Sequence, residues 1–275
     1  MRIHGSGNAH AGFSLLHAAG CGKGLAIPLE LQTTVFLTNH PIKNHDDEHG
    51  LLDELLQLWK SKPVELPSGE LGWKVISDIP IGKGLKSSSA LLLAAYRALE
   101  DATGTSFDLD SKIQELSLIQ KNSGCSITGG FDDLTVASGD QKIWSENSEL
   151  DDNDIFVILP DKNKSKIDIN NFKKLESEFL RVNELIQSQR FIDAFRLNGK
   201  LVAQAICDDE SELICEDIEI SVGGCSAAIT GSGPAIVILC ESYWSPRVID
   251  YLANKNFNWI RTKILRDKIA IKKEI

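Results

Sequence analysis

The sequence predicts an α+β protein of two domains, and three observations lead to this prediction. At 275 residues the chain is long enough for one or two ordinary domains. Short segments of strand-like apolar residues alternate with longer segments whose apolar residues recur at helical spacing. The run SENSELDDND at 145–154 is acidic and nearly free of apolar side chains, which favours a domain boundary. We therefore expect domains at 1–150 and 151–275.

In the first half, glycines and capping residues separate the predicted elements. Gly104 ends an apolar helix at 87–102, and Asp108 is placed to cap the helix that follows. In chain order we expect two strands within 12–37 around a glycine-rich turn, a helix at 46–59, a strand at 73–79, a glycine-rich loop at 80–86, helices at 87–102 and 108–122, a loop at 129–133, and a hairpin at 134–144.

In the second half, the pattern favours helices packed on one face of a sheet, in the order βααββαβ. The acidic stretch at 208–219 is interpreted as a solvated face. The predicted elements are strands at 155–159, 225–229, 234–240, 259–265 and 268–272, and helices at 172–187, 191–206 and 243–253.

Composition narrows the range of partners. There are 29 Lys and Arg against 39 Asp and Glu, and the net charge of −10 argues against non-specific binding to nucleic acid or an anionic membrane. No apolar run approaches the roughly 18 residues of a membrane-spanning helix. The six cysteines show neither zinc spacing nor a disulfide framework, which favours reduced thiols in the cytoplasm. We expect small-molecule partners.

The loop and helix start at 80–90 (PIGKGLKSSSA) have the composition of an anion site. Gly82 and Gly84 allow close backbone approach, and serines follow at a helix N-terminus, where unpaired N–H groups and the helix dipole attract anions. Lys83 and Lys86 add positive charge. Neither a Walker A motif nor GxGxxG fits, since Ser87 stands where the latter needs its third glycine. A plain glycine-rich turn with a serine cap is the alternative.

Three segments resemble, in order, the motifs of the GHMP kinases, the superfamily of galactokinase, homoserine kinase and mevalonate kinase. Residues 80–90 resemble its second motif, P-x-x-x-G-L-G/x-S-S-A/S. Gly129-Gly130-Phe131-Asp132-Asp133 resembles the segment with the catalytic carboxylate, and Thr230-Gly231-Ser232-Gly233-Pro234 resembles the third motif. GLKSSSA, TGGFDD and the early Ala9-His10-Ala11 with Gly22-Lys23-Gly24 are most similar to the archaeal-type shikimate kinases of this superfamily.

This resemblance implies an ATP- and Mg²⁺-dependent kinase that phosphorylates the 3-hydroxyl of shikimate in aromatic amino-acid biosynthesis. It also implies the two-domain GHMP kinase fold: an N-terminal domain like domain 2 of ribosomal protein S5 and a ferredoxin-like C-terminal domain. ATP and shikimate would meet in the cleft between the two domains. The expected assembly is a cytoplasmic monomer or homodimer.

The resemblance assigns the catalytic and metal roles to a few residues. Asp133 aligns with the catalytic base, and the adjacent Asp132 is either a metal partner or structural. Ser88 aligns with the Mg²⁺-coordinating serine. Asn122 occupies the position where mevalonate-kinase-like members have a Mg²⁺-binding Glu, so Glu115, the nearest upstream acid, is the candidate for that role.

Substrate and nucleotide contacts are also predicted. Lys23 is the candidate cation for the substrate carboxylate or a phosphate, with a solvated turn lysine as the alternative. The residues expected to surround the ATP phosphates are Pro80, Ile81, Gly82, Lys83, Gly84, Leu85, Lys86, Ser87, Ser88, Ser89, Ala90, Gly231, Ser232 and Gly233.

Two other functions are kept as alternatives. One is another small-molecule GHMP kinase, such as a homoserine kinase. The other is a non-catalytic nucleotide-binding sensor on the same fold. Retention of Ser88 and both aspartates argues against the sensor, which would tolerate loss of the base.

Overall fold

A computed structural model describes residues 1–40, 47, 49–123, 150, 152–162 and 167–265. The predicted loop at 129–133, the hairpin at 134–144 and the last strand at 268–272 lie outside these residues, as do Asp132 and Asp133.

The first half contains a three-stranded antiparallel sheet in the order β1-β2-β3. Its elements are β1 (Ile3–Leu16), α1 (Ala18–Cys21), β2 (Leu25–Thr38), α2 (Leu51–Lys60), β3 (Gly72–Ser77), α3 (Ser87–Thr103) and α4 (Leu109–Asn122). As predicted, Gly104 ends α3 in a left-handed conformation and the Asp108 side chain caps α4. Helix α2 begins later than predicted, since the Asp47 carboxylate accepts hydrogen bonds from Leu51 N and Leu52 N.

Strand β1 begins nine residues before its predicted start. Its early part contains Gly5 and Gly7, which give no alternating apolar pattern to recognise. The reason for these glycines is the helix above them. A β-carbon added at Gly7 would lie 2.2 Å from the Ala94 carbonyl oxygen of α3, and one at Gly5 would lie 2.3 Å from that of Ala98. Helix α3 therefore lies directly on the backbone of β1.

The second half contains a four-stranded antiparallel sheet in the order β5-β6-β4-β7. Its elements are β4 (Asn153–Ile158), α5 (Ile169–Lys173), α6 (Glu176–Gln187), α7 (Phe191–Ile206), α8 (Asp209–Val222), β5 (Cys225–Ile229), β6 (Ile236–Glu241), a 3₁₀ turn (Ser242–Trp244), α9 (Ser245–Asn254) and β7 (Trp259–Thr262). This strand order is the one expected of a ferredoxin-like sheet.

For the second half, one predicted helix differs from the structure and another helix was missed. The helix expected at 172–187 is divided into α5 and α6. The acidic stretch at 208–219 is the helix α8, which buries Cys215, Ile218 and Val222. Acidic residues are favourable in the first turn of a helix, so the same charges that suggested a solvated stretch help to start α8.

The end of the acidic run at 145–154 also differs from the expectation. Asp154 is buried within β4, and its carboxylate accepts hydrogen bonds from Arg261 (2.9 Å) and Ser245 (2.5 Å). Burial alone would raise the pKa of Asp154, but these hydrogen bonds together hold it below its usual value. An acidic residue at the end of a linker-like run thus belongs to the sheet because its charge is compensated there.

The two sheets share one continuous apolar core. Asn198, buried on α7, joins the halves: its side chain accepts a hydrogen bond from His17 N (2.8 Å) and donates one to Ser14 O (3.3 Å). Beyond β7, Leu265 N donates to Pro28 O of β2 (3.0 Å). The halves are therefore joined by polar as well as apolar contacts, and the domain division near residue 150 stays a prediction.

We expect Asn198→Leu to lower the free energy of unfolding by about 2–3 kcal/mol, because it removes hydrogen bonds to the backbone of Ser14 in β1 and of His17 directly after it. Gln204→Leu, at an exposed position of the same helix, is the matched control and should change stability by less than about 0.5 kcal/mol. Chemical denaturation measures both. Equal stability of the two variants would contradict a linking role for Asn198.

Candidate active site

The two glycine-rich loops singled out in the sequence, 80–86 and 230–235, lie against each other. Ala235 N donates a hydrogen bond to Lys83 O (3.2 Å), and the Thr230 hydroxyl donates to Gly84 O (3.4 Å). These loops are separated by more than 140 residues, so the fold brings both candidate phosphate-binding segments to one place.

Two glycines make this approach possible. Gly84 and Gly231 both have positive φ, at 83° and 56°. A β-carbon at Gly84 would lie 2.3 Å from Thr230 O, and one at Gly231 would lie 2.5 Å from Gly84 O. Neither position has room for a side chain, so backbone packs directly on backbone.

Strand β1 holds both loops. Ser14 N donates to the Thr230 hydroxyl oxygen (3.1 Å), and Gly12 N donates to Leu85 O (3.2 Å). The buried Thr230 hydroxyl thus accepts from β1 and donates to the first loop. Its position fixes the two loops relative to the sheet.

The N-terminus of α3 leaves its first turn open to an anion. Lys86 occupies the N-cap position in a left-handed conformation (φ 65°), and its side chain makes no capping hydrogen bond. The first turn contains no acidic residue, and Ser87 and Ser88 are partly exposed. The unpaired N–H groups and positive dipole end of this 17-residue helix therefore suit a phosphate group.

Gln120 of α4 is a neighbour of this serine cluster that the sequence analysis missed. Its side-chain amide donates to the Ser89 hydroxyl (2.9 Å) and lies 3.5 Å from that of Ser88. Gln120 is fully buried. No local pattern marks it, since its partners are about thirty residues earlier in the chain.

Glu115 has a different set of neighbours. Its carboxylate accepts hydrogen bonds from the Lys62 ammonium (2.7 Å) and the Tyr96 hydroxyl (3.0 Å). Burial, together with the Glu115 charge, raises the pKa of Tyr96 above its usual value. Five residues separate Glu115 from Gln120, which places them on different faces of α4. The structure thus pairs Glu115 with Lys62 rather than with Ser88, and its metal role stays a prediction.

Lys23 lies in the turn between α1 and β2 and is exposed. The preceding Gly22 ends α1 in a left-handed conformation, and the neighbouring His17 side chain caps the start of α1. His17 also stacks on Phe172, with ring centroids 4.7 Å apart. This arrangement leaves the Lys23 ammonium on the surface, where its substrate role stays a prediction.

The Lys83 side chain contacts the second half of the chain. Its ammonium donates to the carbonyl oxygens of Pro160 (2.7 Å) and Lys162 (3.2 Å), just after β4. From the sequence, the charge of Lys83 was predicted to attract a phosphate group. In the structure, its contacts with carbonyl oxygens join the first loop to the second half of the chain.

Two features are absent from the described residues. None of their helices is long and apolar enough to cross a membrane. They also contain no group of three or more His, Cys, Asp or Glu side chains arranged to hold a metal ion.

Comparison with known proteins identifies the class. Residues 51–139 match the family model "GHMP kinases N terminal domain". The crystal structure of the mevalonate kinase from Methanococcus jannaschii superimposes with a TM-score of 0.68 at 13% identity, covering 95% of this chain and 98% of that one. The predicted α+β GHMP kinase fold is confirmed. Residues 51–139 thus match the GHMP kinases in sequence, and the chain has the GHMP kinase fold.

Curated relatives narrow the comparison within that superfamily. The shikimate kinase of Methanothrix thermoacetophila is 22% identical over 281 residues, covering 95% of this chain and 94% of that protein. The shikimate kinase of Pyrococcus abyssi is 31% identical over 160 residues, covering 54% and 57% of the two chains. The resemblance drawn from the sequence motifs is thus confirmed over nearly the whole chain.

We expect Gly84→Ala to disrupt the contact between the two loops, because its methyl group would meet Thr230 O. Gly82→Ala is the matched control: Gly82 has a similar positive φ of 69°, but a β-carbon there meets no atom within 4 Å. The control should lose only about 1–2 kcal/mol of stability from backbone strain. Thermal unfolding should show a clearly larger loss for Gly84→Ala, and equal losses would contradict the proposed steric constraint.

Proposed function

We propose that this protein is a shikimate kinase, which transfers the γ-phosphoryl group of ATP to the 3-hydroxyl of shikimate and releases shikimate 3-phosphate and ADP. The observation that carries this proposal is the similarity to curated shikimate kinases, which extends over 94% of one relative's length. The juxtaposed loops and the open N-terminus of α3 support it, because phosphoryl transfer depends mainly on positioning and on neutralising charge.

The residues at the start of α3 fit the phosphates of ATP. The first-turn N–H groups, including those of Ser87 and Ser88, are oriented to donate to phosphate oxygens. The Ser88 hydroxyl would hold Mg²⁺, which neutralises charge on the transferred group when bound. The neighbouring Gln120 amide restrains this hydroxyl cluster. The loops at 80–86 and 230–235 would then enclose the phosphates from two sides.

The acceptor side of the reaction needs a cation for the carboxylate of shikimate and a base for its hydroxyl. Residues 1–29 contain Arg2 and Lys23 and no acidic residue, so an anion meets no repulsion from this segment. Lys23 is the proposed carboxylate contact. Asp133 is the proposed proton acceptor, with Asp132 beside it as a metal partner or structural residue.

The wider setting of the proposed reaction is biosynthetic. Its product would enter the synthesis of aromatic amino acids, and we place the enzyme in the cytoplasm as a monomer or homodimer. Only a few residues of this chain are proposed to contact the phosphoryl acceptor, so the identity of the acceptor is tested first.

Shikimate, homoserine and mevalonate should be compared as acceptors in a coupled assay of ADP release with ATP and Mg²⁺. We expect turnover with shikimate and at most background with the other two. A reaction without acceptor measures ATP hydrolysis. Turnover with homoserine or mevalonate but not with shikimate would refute the substrate and leave the kinase family unchanged.

Asp133→Asn should lower kcat by about 10²-fold or more, since it removes the proposed proton acceptor, while ATP still binds. Asp132→Asn is the comparison, and we expect it to retain more activity. Calorimetric titration with ATP measures nucleotide binding separately from turnover. Full activity of Asp133→Asn would show that the proton acceptor is another residue. A wild-type protein that binds ATP but shows no turnover would favour a nucleotide sensor.

A further inference from the structure

Lys83 is bound to the second half of the chain through both its backbone and its side chain. Its carbonyl oxygen accepts from Ala235 N, and its ammonium donates to Pro160 O and Lys162 O. An ammonium has three donors, so two of them are used by these carbonyl oxygens. Lys83 is the residue directly before Gly84, whose backbone touches the second glycine loop.

The carbonyl oxygens that receive the Lys83 ammonium are themselves held in place. The Lys162 ammonium forms an ion pair with Asp208 (2.8 Å) and donates to the Ser211 hydroxyl (3.0 Å). Asp208 caps the start of α8 by accepting from Ser211 N (3.2 Å). Segment 160–162 is therefore anchored to the N-terminus of α8.

The Asp208 carboxylate is charged in this arrangement. Burial would raise its pKa, but hydrogen bonds from Lys162 and Ser211 together hold the pKa below its usual value. A charged Asp208 keeps the Lys162 ammonium bound and so holds residue 162 in place. The carbonyl oxygen of Lys162 then accepts a hydrogen bond from the Lys83 ammonium.

We propose that Lys83 is a positioning residue: it ties the phosphate-binding loop to the anchored 160–162 segment and does not serve as a phosphate ligand. The chain of contacts runs from the loop through Lys83 and Lys162 to Asp208. This inference rests on the proposed use of ATP. In a loop with positive-φ glycines on both sides of Lys83, such a tie fixes the backbone before the nucleotide binds.

The test is a double-mutant cycle with Lys83→Met and Lys162→Met, read by calorimetric titration with ATP. Each single variant should weaken ATP binding, by about tenfold for Lys83→Met, the loss typical of a charged hydrogen bond. The double variant should bind within about twofold of Lys83→Met, because both changes break the same connection. Lys200→Met is the matched control, because Lys200 also pairs with an acidic residue of α8, Glu212, but is not one of the residues that connect Lys83 to Asp208. This variant should bind ATP like the wild type.

A phosphate-ligating Lys83 would give different results. The effects of the two changes would then be additive, or Lys162→Met would leave ATP affinity unaltered, and either outcome would overturn the inference. Ionic strength provides a second readout. Loss of a direct phosphate contact flattens the salt dependence of ATP affinity, whereas loss of a positioning residue leaves its slope as in the wild type.

The same measurements separate this inference from the proposed function. A wild-type protein that does not bind ATP would refute the kinase function itself. A wild-type protein that binds ATP, with additive variants, would refute only the role of Lys83. Thermal unfolding in parallel verifies that the variants are folded. If Lys83→Met is not folded, Lys162→Met is measured on its own: unaltered ATP affinity in this variant would overturn the inference, whereas weakened affinity with the salt slope of the wild type would support it.

Discussion

The direct backbone contact between Gly84 and the loop that contains Thr230 and Gly231 is the constraint on which the rest of the site depends. Neither glycine has room for a β-carbon, so the distance between the two loops is set by main-chain atoms and not by side-chain packing. The Thr230 hydroxyl fixes the orientation of the two loops, because it accepts a hydrogen bond from Ser14 N of β1 and donates one to Gly84 O. The first sheet, the glycine-rich loop at 80–86 and the second half thus meet at one buried hydroxyl group.

Several charged side chains of this acidic protein hold segments that are distant in the sequence together. The ammonium groups of Lys62, Lys83 and Lys162 all bind protein oxygens: a carboxylate and a phenol, two carbonyls, and the capping carboxylate of α8. The buried Asp154 is likewise compensated by Arg261. The N-terminus of α3 needs no such side chain to attract an anion, because its backbone groups and its dipole act directly.

Sequence patterns predicted most helices because apolar periodicity and capping residues are local signals. Helix α7 was predicted to the residue, and the motifs at 80–90 and 230–233 indicated the two loops that the fold brings together. The early part of β1 and helix α8 were missed, since glycines and acidic residues hide their periodicity. Gln120, and the partners of Glu115 and Lys83, depend on contacts between residues distant in the chain, which no local pattern contains.

The conformation of Lys86 shows what this arrangement costs locally. A residue with a β-carbon held at φ 65° is strained by about 1–2 kcal/mol, and glycine would relieve that strain at the same position. A lysine at this position lowers the intrinsic stability of the loop, but it places a long cationic side chain at the N-cap of α3. The segment proposed to bind the anion is therefore also one with reduced local stability.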